Sequence, residues 1–158
     1  MKKIIIMQGV SGSGKSTWAR AEAQRTGGLV VSADFWFERE GGYRFDPRQL
    51  SKAHAACFAA YVERLLAWRS QATGTLIVDN TNTAAHEIAP YMLAGCAFAP
   101  EAETFILRVP CDPEVAAARC VHDVPRAVIR SQHERIVRGV IDYLPTWQVR
   151  VLGKDVPS

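Results

Sequence analysis

The stretch Lys3-Ile4-Ile5-Ile6-Met7-Gln8-Gly9-Val10-Ser11-Gly12-Ser13-Gly14-Lys15-Ser16-Thr17 decides the fold. An apolar run ends abruptly in a loop of Gly and Ser, and a lysine follows where a helix should begin. Gly9-x-x-x-x-Gly14-Lys15-Ser16 is the pattern of a phosphate-binding loop between a strand and a helix. The glycines let backbone N–H groups curl around phosphate oxygens at the helix N-terminus, where the dipole favours negative charge. That dipole disfavours a cation, so a turn that binds nothing leaves Lys15 unexplained. The loop is read as the seat of a nucleoside triphosphate, with Gly9, Ser11, Gly12, Ser13 and Gly14 around the phosphates. Lys15 reaches the β- and γ-phosphates, the Ser16 hydroxyl is placed for Mg²⁺, and Thr17 reaches the α-phosphate.

Outward from the loop, short apolar runs read as buried strands: Lys3–Gln8, Leu29–Ser32, Leu76–Asp79 and Thr104–Val109, with a weaker fifth at Gln148–Leu152. None alternates strictly, as expected of parallel strands covered on both faces. Helical patterns lie between them, over Lys15–Arg25, Pro47–Arg69, Ala84–Ala97, a short helix from Pro113, and Pro125–Tyr143. Strand and helix alternate from end to end. The expectation is an α/β fold of one domain over residues 1–158, a mainly parallel five-stranded sheet with helices on both faces and a short lid. Phe37–Asp46, with Gly41 and Gly42, and Val121–Pro125 read as irregular stretches near strand ends, where such sheets place their ligands.

The 158 residues suffice for a real core, and 48% hydrophobic with 22% charged residues is the balance of a globular chain, not a disordered one. The net charge of +3 suits an anionic substrate, but no Lys/Arg tract marks a nucleic-acid backbone tracker. Cys57, Cys96, Cys111 and Cys120 form no C-x-x-C pair, so free thiols in a reducing cytosol are expected. The apolar run after Lys2 and Lys3 is shorter than the roughly 7–15 residues of an export signal. The reading is a cytoplasmic protein that does not engage a membrane.

A GTPase would carry D-x-x-G and N-K-x-D motifs, and neither is present. The third strand ends instead in Val78-Asp79-Asn80-Thr81-Asn82. An acid closing an apolar strand either holds Mg²⁺ beside Ser16 or caps the next helix, though Thr81, Asn82 and Thr83 lie nearer that helix and could cap it. The second strand ends in Ser32-Ala33-Asp34-Phe35-Trp36. Asp34 there either caps the segment after it or takes a proton from an acceptor hydroxyl facing the γ-phosphate. Arginines gather in the last third. Arg126 and Arg130 near a helix start oppose its dipole, so phosphate is the expected partner, Arg126 on the nucleotide side and Arg130 on the acceptor side. Arg119, before the loop Cys120–Pro125, is the lid arginine expected to neutralise the transferring phosphoryl group. The aromatics Phe35, Trp36, Phe37, Tyr43 and Phe45 divide between core and stacking surface on the acceptor side.

Taken together, these motifs resemble the P-loop polynucleotide 5′-hydroxyl kinase family. Gly12-Ser13-Gly14-Lys15-Ser16-Thr17-Trp18-Ala19-Arg20 is similar to the start of the bacteriophage members. Ser32-Ala33-Asp34-Phe35-Trp36-Phe37, Gly42-Tyr43-Arg44-Phe45-Asp46-Pro47, Asp79-Asn80-Thr81-Asn82 and Arg119-Cys120-Val121-His122-Asp123-Val124-Pro125 resemble a related kinase-like domain in animal ubiquitin-ligase-binding proteins. The resemblance implies ATP and Mg²⁺, transfer of the γ-phosphate to a nucleic-acid 5′ end, Asp34 as general base, Asp79 and Asn80 organising the acceptor side, and Arg119 in the lid. Two departures bear on the acceptor. Phe35 stands where the family often has a second acid, and Cys120 and Asp123 replace the Asn and Gly of an Arg-Asn-x-His-Gly lid. A small-molecule kinase on the same scaffold, for a nucleoside, sugar or antibiotic hydroxyl, is the second expectation. A non-catalytic ATP-binding module is the third, although binding alone requires neither Asp34 nor Arg119.

Overall fold

A computed structural model of the chain describes residues 1–39, 42–68, 73–139 and 143–156. Strand β1 (Lys2–Gln8) runs into the loop and then helix α1 (Lys15–Thr26), followed by β2 (Leu29–Val31) and a 3₁₀ turn at Ala33–Trp36. A hairpin of β3 (Glu38–Arg39) and β4 (Gly42–Tyr43) precedes a second 3₁₀ turn at Pro47–Gln49 and α2 (Leu50–Ala67). The chain continues through β5 (Gly74–Val78), α3 (Ala85–Phe98), β6 (Glu103–Arg108), α4 (Pro113–Arg119), α5 (Arg126–Arg138) and β7 (Val149–Val151).

Five strands form one parallel sheet in the order β2-β5-β1-β6-β7. β1 lies at its centre, with Ile4 opposite Leu76 on one side and Thr104 on the other. Both faces of β1 are covered, which explains its unbroken apolar run. Ile4 and Ile6 pack with Tyr61 and Leu65 of α2 and Ile88 and Tyr91 of α3. Ile5 and Met7 face the other way, onto Ala19, Trp18 and Ala23 of α1. Each fully buried isoleucine contributes about 1.5–3 kcal/mol of transfer free energy, so this strand carries a large share of the core. A third cluster, Val10, Ala116, Ile129 and Ile136, seats α4 and α5 against the loop after β1.

The expected α/β class and parallel sheet are those observed. Three local expectations differ. The segment Phe37–Asp46 is not wholly irregular: Glu38 pairs with Tyr43 and Arg39 with Gly42 in a two-stranded hairpin. The helix expected from Pro47 begins as a 3₁₀ turn, capped by Asp46, whose side chain accepts from the Arg48 N–H. Helix α3 starts at Ala85, where the Glu87 carboxylate reaches back to the N–H groups of Thr83 and Ala84 and takes the role expected of Thr81, Asn82 and Thr83. Gly41, Arg69, Val140 and Ile141 lie outside the described residues, as does residue 142 of the helix expected to reach Tyr143.

Candidate active site

The carboxyl ends of β1, β2 and β5 converge on one cleft of about 790 Å³. Its floor is the loop Ser11–Gly14 with Lys15, Ser16 and Thr17. Gly14, the N-cap of α1, has φ 94°, and no side chain caps the helix or places an acid in its first turn. The amides of that first turn have no intrahelical carbonyl to bond, so the helix offers its positive end directly to the cleft. Gly12 (φ +80°) is required for a second reason: a Cβ there would lie 2.1 Å from the Ala116 carbonyl of α4. Helix α4 therefore rests on the loop backbone itself.

Lys15 is 6% exposed, and its ammonium donates to the Val10 carbonyl at 2.8 Å. Burial lowers its pKa to about 8, with the negative charges of Asp79 and Asp34 pulling in the opposite direction. Asp79, also buried, has its pKa raised, first by desolvation; the Ser16 hydroxyl and Lys15 oppose the rise. Ser16, Lys15 and Asp79 thus form one compact group. Arg20 also lines the cleft and adds favourable charge to Asp79.

The turn Ala33–Trp36 presents Asp34 across the cleft. Its cap is Ser32, not Asp34: the Ser32 hydroxyl accepts from the Asp34 N–H at 3.2 Å and donates to the Asp79 carbonyl at 2.8 Å. That leaves the Asp34 carboxylate free of capping duty. It accepts a hydrogen bond from the Tyr43 hydroxyl at 3.1 Å. Phe35 and Glu38 lie beside it, and Arg119, at the end of α4, closes the rim with Val121 and His122 of the loop that follows.

Of the residues singled out by sequence, Ser11, Gly12, Ser13, Gly14, Lys15, Ser16, Thr17, Asp34, Asp79 and Arg119 line this cleft. Four others have different surroundings. The Gly9 N–H is bonded to the Thr81 carbonyl at 3.0 Å, and a Cβ at Gly9 would meet Ser13 and the Val109 carbonyl at 2.9 Å. Asn80 is buried: its carboxamide accepts from the Ala33 N–H at 2.9 Å and donates to Cys57 and the Tyr91 hydroxyl, so it braces the Asp34 turn from behind the cleft. Arg130 is paired with Glu114 of α4 at 2.7 Å, and Arg126 approaches the same carboxylate at 3.8 Å. Glu114 supplies these two arginines with a counter-charge from within the protein.

Sequence reasoning missed Gln132. Its side-chain oxygen accepts from the Ser11 N–H at 2.9 Å, and its nitrogen donates to the Ser11 hydroxyl at 3.2 Å, tying α5 to the loop. A signal existed, since Gln132 stands between Ile129 and Ile136 on the buried face of α5, where a polar residue needs a partner.

Residues 4–138 match the AAA domain family. The chain belongs to that family. This AAA domain is 32% identical over 94 residues to NEDD4-binding protein 2 from Homo sapiens, a match spanning 56% of the chain and 5% of that protein. Its fold is shared with a chain of the Pnkp1/Rnl/Hen1 RNA repair complex, at TM-score 0.68 and 17% identity over 90% of this chain and 46% of the other. It is also shared with an unliganded sugar kinase from Janibacter sp. HTCC2649, at TM-score 0.59 and 20% identity over 96% and 84% of the two chains. A gluconokinase from Sinorhizobium meliloti 1021 gives TM-score 0.58 and 21% identity over 94% and 82%. At these identities the likeness is one of fold. The AAA domain is a P-loop, nucleotide-binding domain with the fold of the kinases just named, in keeping with the resemblance drawn from its motifs.

Proposed function

We propose that this AAA domain transfers the γ-phosphate of ATP to a hydroxyl acceptor, in line, with Asp34 as general base. The observation that carries the reading is the meeting, in one cleft, of the phosphate loop, Asp79, Asp34 and Arg119, drawn from four separate segments. ATP binding alone has no need of a carboxylate across from Lys15. In the proposed step the acceptor oxygen bonds to the γ-phosphorus and gives its proton to the Asp34 carboxylate. The bond from the γ-phosphorus to the bridging oxygen breaks, and ADP departs. Lys15 neutralises the β- and γ-phosphates, and Arg119 meets the charge that develops on the moving group.

The donor set suits Mg²⁺. Asp79 is a buried carboxylate next to the Ser16 hydroxyl. Among the described residues no three His, Cys, Asp or Glu side chains gather as an all-protein cage. One or two protein ligands completed by phosphates and water are what Mg²⁺ takes. Ser16 and Asp79 would hold it, and bound there it would neutralise phosphate charge.

The acceptor we propose is the 5′-hydroxyl of a polynucleotide. Supporting this are the motif resemblance around Asp34, Asp79 and Arg119, and the exposed rings of Phe35 and Trp36 at the acceptor side, a surface on which a terminal base can stack. One observation favours a small-molecule hydroxyl instead. Glu38 lines the cleft with Asp34, and two carboxylates there repel a polyanion. The test is γ-labelled ATP with Mg²⁺ and three acceptors side by side: a 5′-hydroxyl DNA oligomer, the same sequence as RNA, and a mixture of nucleosides and sugars. Label on an oligomer 5′ end is the expected result. Label confined to the small molecules transfers the assignment to the second reading, and label on none overturns the choice of acceptor.

A further inference from the structure

Tyr43 sits at the junction of three parts of the cleft. It lies on β4, opposite Glu38 in the hairpin. Its hydroxyl donates to Asp34 Oδ1 at 3.1 Å. One side of its ring faces the His122 imidazole in the lid loop, with centroids 4.0 Å apart and planes 31° from parallel. Elsewhere the ring meets the buried Phe37 edge to face, at 6.0 Å and 64°. The Asp34 backbone is already fixed from the other direction, through Ser32 to Asp79 and through Ala33 to Asn80. What these bonds do not fix is the carboxylate.

We infer that Tyr43 is a positioning residue: it orients the Asp34 carboxylate and, through His122, holds the lid loop over the acceptor side. The inference rests on Asp34 as the base. A carboxylate that must take a proton in line with the γ-phosphorus loses rate when it is free to rotate, because reaction requires the reacting atoms to be aligned. A phenol bonded to one oxygen restricts that rotation and leaves the other oxygen for the incoming proton. Burial, and then the charge of Asp34, raise the Tyr43 pKa well above its ordinary value, so the phenol stays protonated and acts towards Asp34 as a donor. Ring packing alone would account for an aromatic residue here but not for the hydroxyl, and this separates a positioning role from a merely structural one.

The experiment compares Tyr43→Phe, which keeps the ring and removes the donor, with His122→Ala, which keeps the donor and removes the ring contact. Rates are read on transfer to a 5′-hydroxyl oligonucleotide and, in parallel, to water, with melting temperatures as the control for folding. Tyr43→Phe is expected to lower kcat about tenfold, with both KM values within about twofold of the parent. His122→Ala is expected to raise the acceptor KM with a smaller change in kcat. In an Asp34→Asn background Tyr43→Phe should cost nothing more, because its effect passes through that carboxylate. An unchanged kcat in Tyr43→Phe, or a full additional loss in the Asp34→Asn background, overturns the inference. If Asp34→Asn is itself as fast as the parent, the general-base reading fails first and the inference falls with it. A slow Asp34→Asn beside a fully active Tyr43→Phe removes the inference alone.

Discussion

A lysine at the first position of a helix and 6% exposed is costly to keep charged. Lys15 shows that cost as a pKa lowered by burial to about 8, even with Asp79 and Asp34 nearby. The unfolded chain binds the proton up to about 10.4, so between roughly pH 8 and 10.4 it holds more of this proton than the folded state does. Lys15 therefore weakens the folded protein fully below about pH 8, and the penalty is relieved as the pH rises. Phosphate binding has the opposite dependence. Below about pH 8 the ammonium is ready for the ligand, and above it binding must take up a proton. ADP binding measured without divalent ions should thus weaken above about pH 8, approaching tenfold per pH unit. Calorimetry in buffers of different ionisation enthalpy would show the accompanying proton uptake. An affinity that stays flat from about pH 7 to about pH 9.5 would contradict this account.

Among the elements, the loop after β1 and the pair α4–α5 form one unit. Ala116 packs over Gly12, and Gln132 holds the Ser11 amide. Two glycines only two positions apart should therefore respond differently. Gly14→Ala meets nothing within 4 Å and suffers only the strain of φ 94°, about 1–2 kcal/mol or a fall of about 2–8 °C in melting temperature. Gly12→Ala adds a collision with the α4 backbone and should lower the melting temperature by clearly more. Equal melts for the two variants would mean that α4 is not seated on the loop. This unit was only partly legible in the sequence. The strands and helices could be read because parallel strands buried on both faces give apolar runs that punctuated helices separate. The pairing of Glu114 with Arg130 could not, since spacing along one helix says nothing of a partner on another. The β3–β4 hairpin escaped notice because two-residue strands beside glycines carry no periodicity. The resemblance implies Asn80 on the acceptor side with Asp79, yet successive residues at a strand end point to opposite sides, and of the two Asp79 alone lines the cleft.

At the scale of the molecule, the sheet order β2-β5-β1-β6-β7 does the positioning. β1 delivers the phosphate loop, β5 leads directly into Asp79, and β2, beyond β5, leads into the turn bearing Asp34. The segment after β5 locks these ends together. The Thr81 carbonyl takes the Gly9 N–H, Asn82 donates to the Met7 carbonyl at 2.7 Å, and Gln8 donates to the Asn82 carbonyl at 2.9 Å. In the proposed reaction the donor and acceptor sides are held by separate strands, so they must be separable by substitution. The most direct measurement is Asp34→Asn, with ATP affinity and single-turnover phosphoryl transfer determined on the same preparation. The account predicts ATP binding within about twofold of the parent and transfer slowed by about 10²–10⁴, the usual contribution of a positioned general base. Transfer at the parent rate, or loss of ATP binding along with transfer, would contradict it.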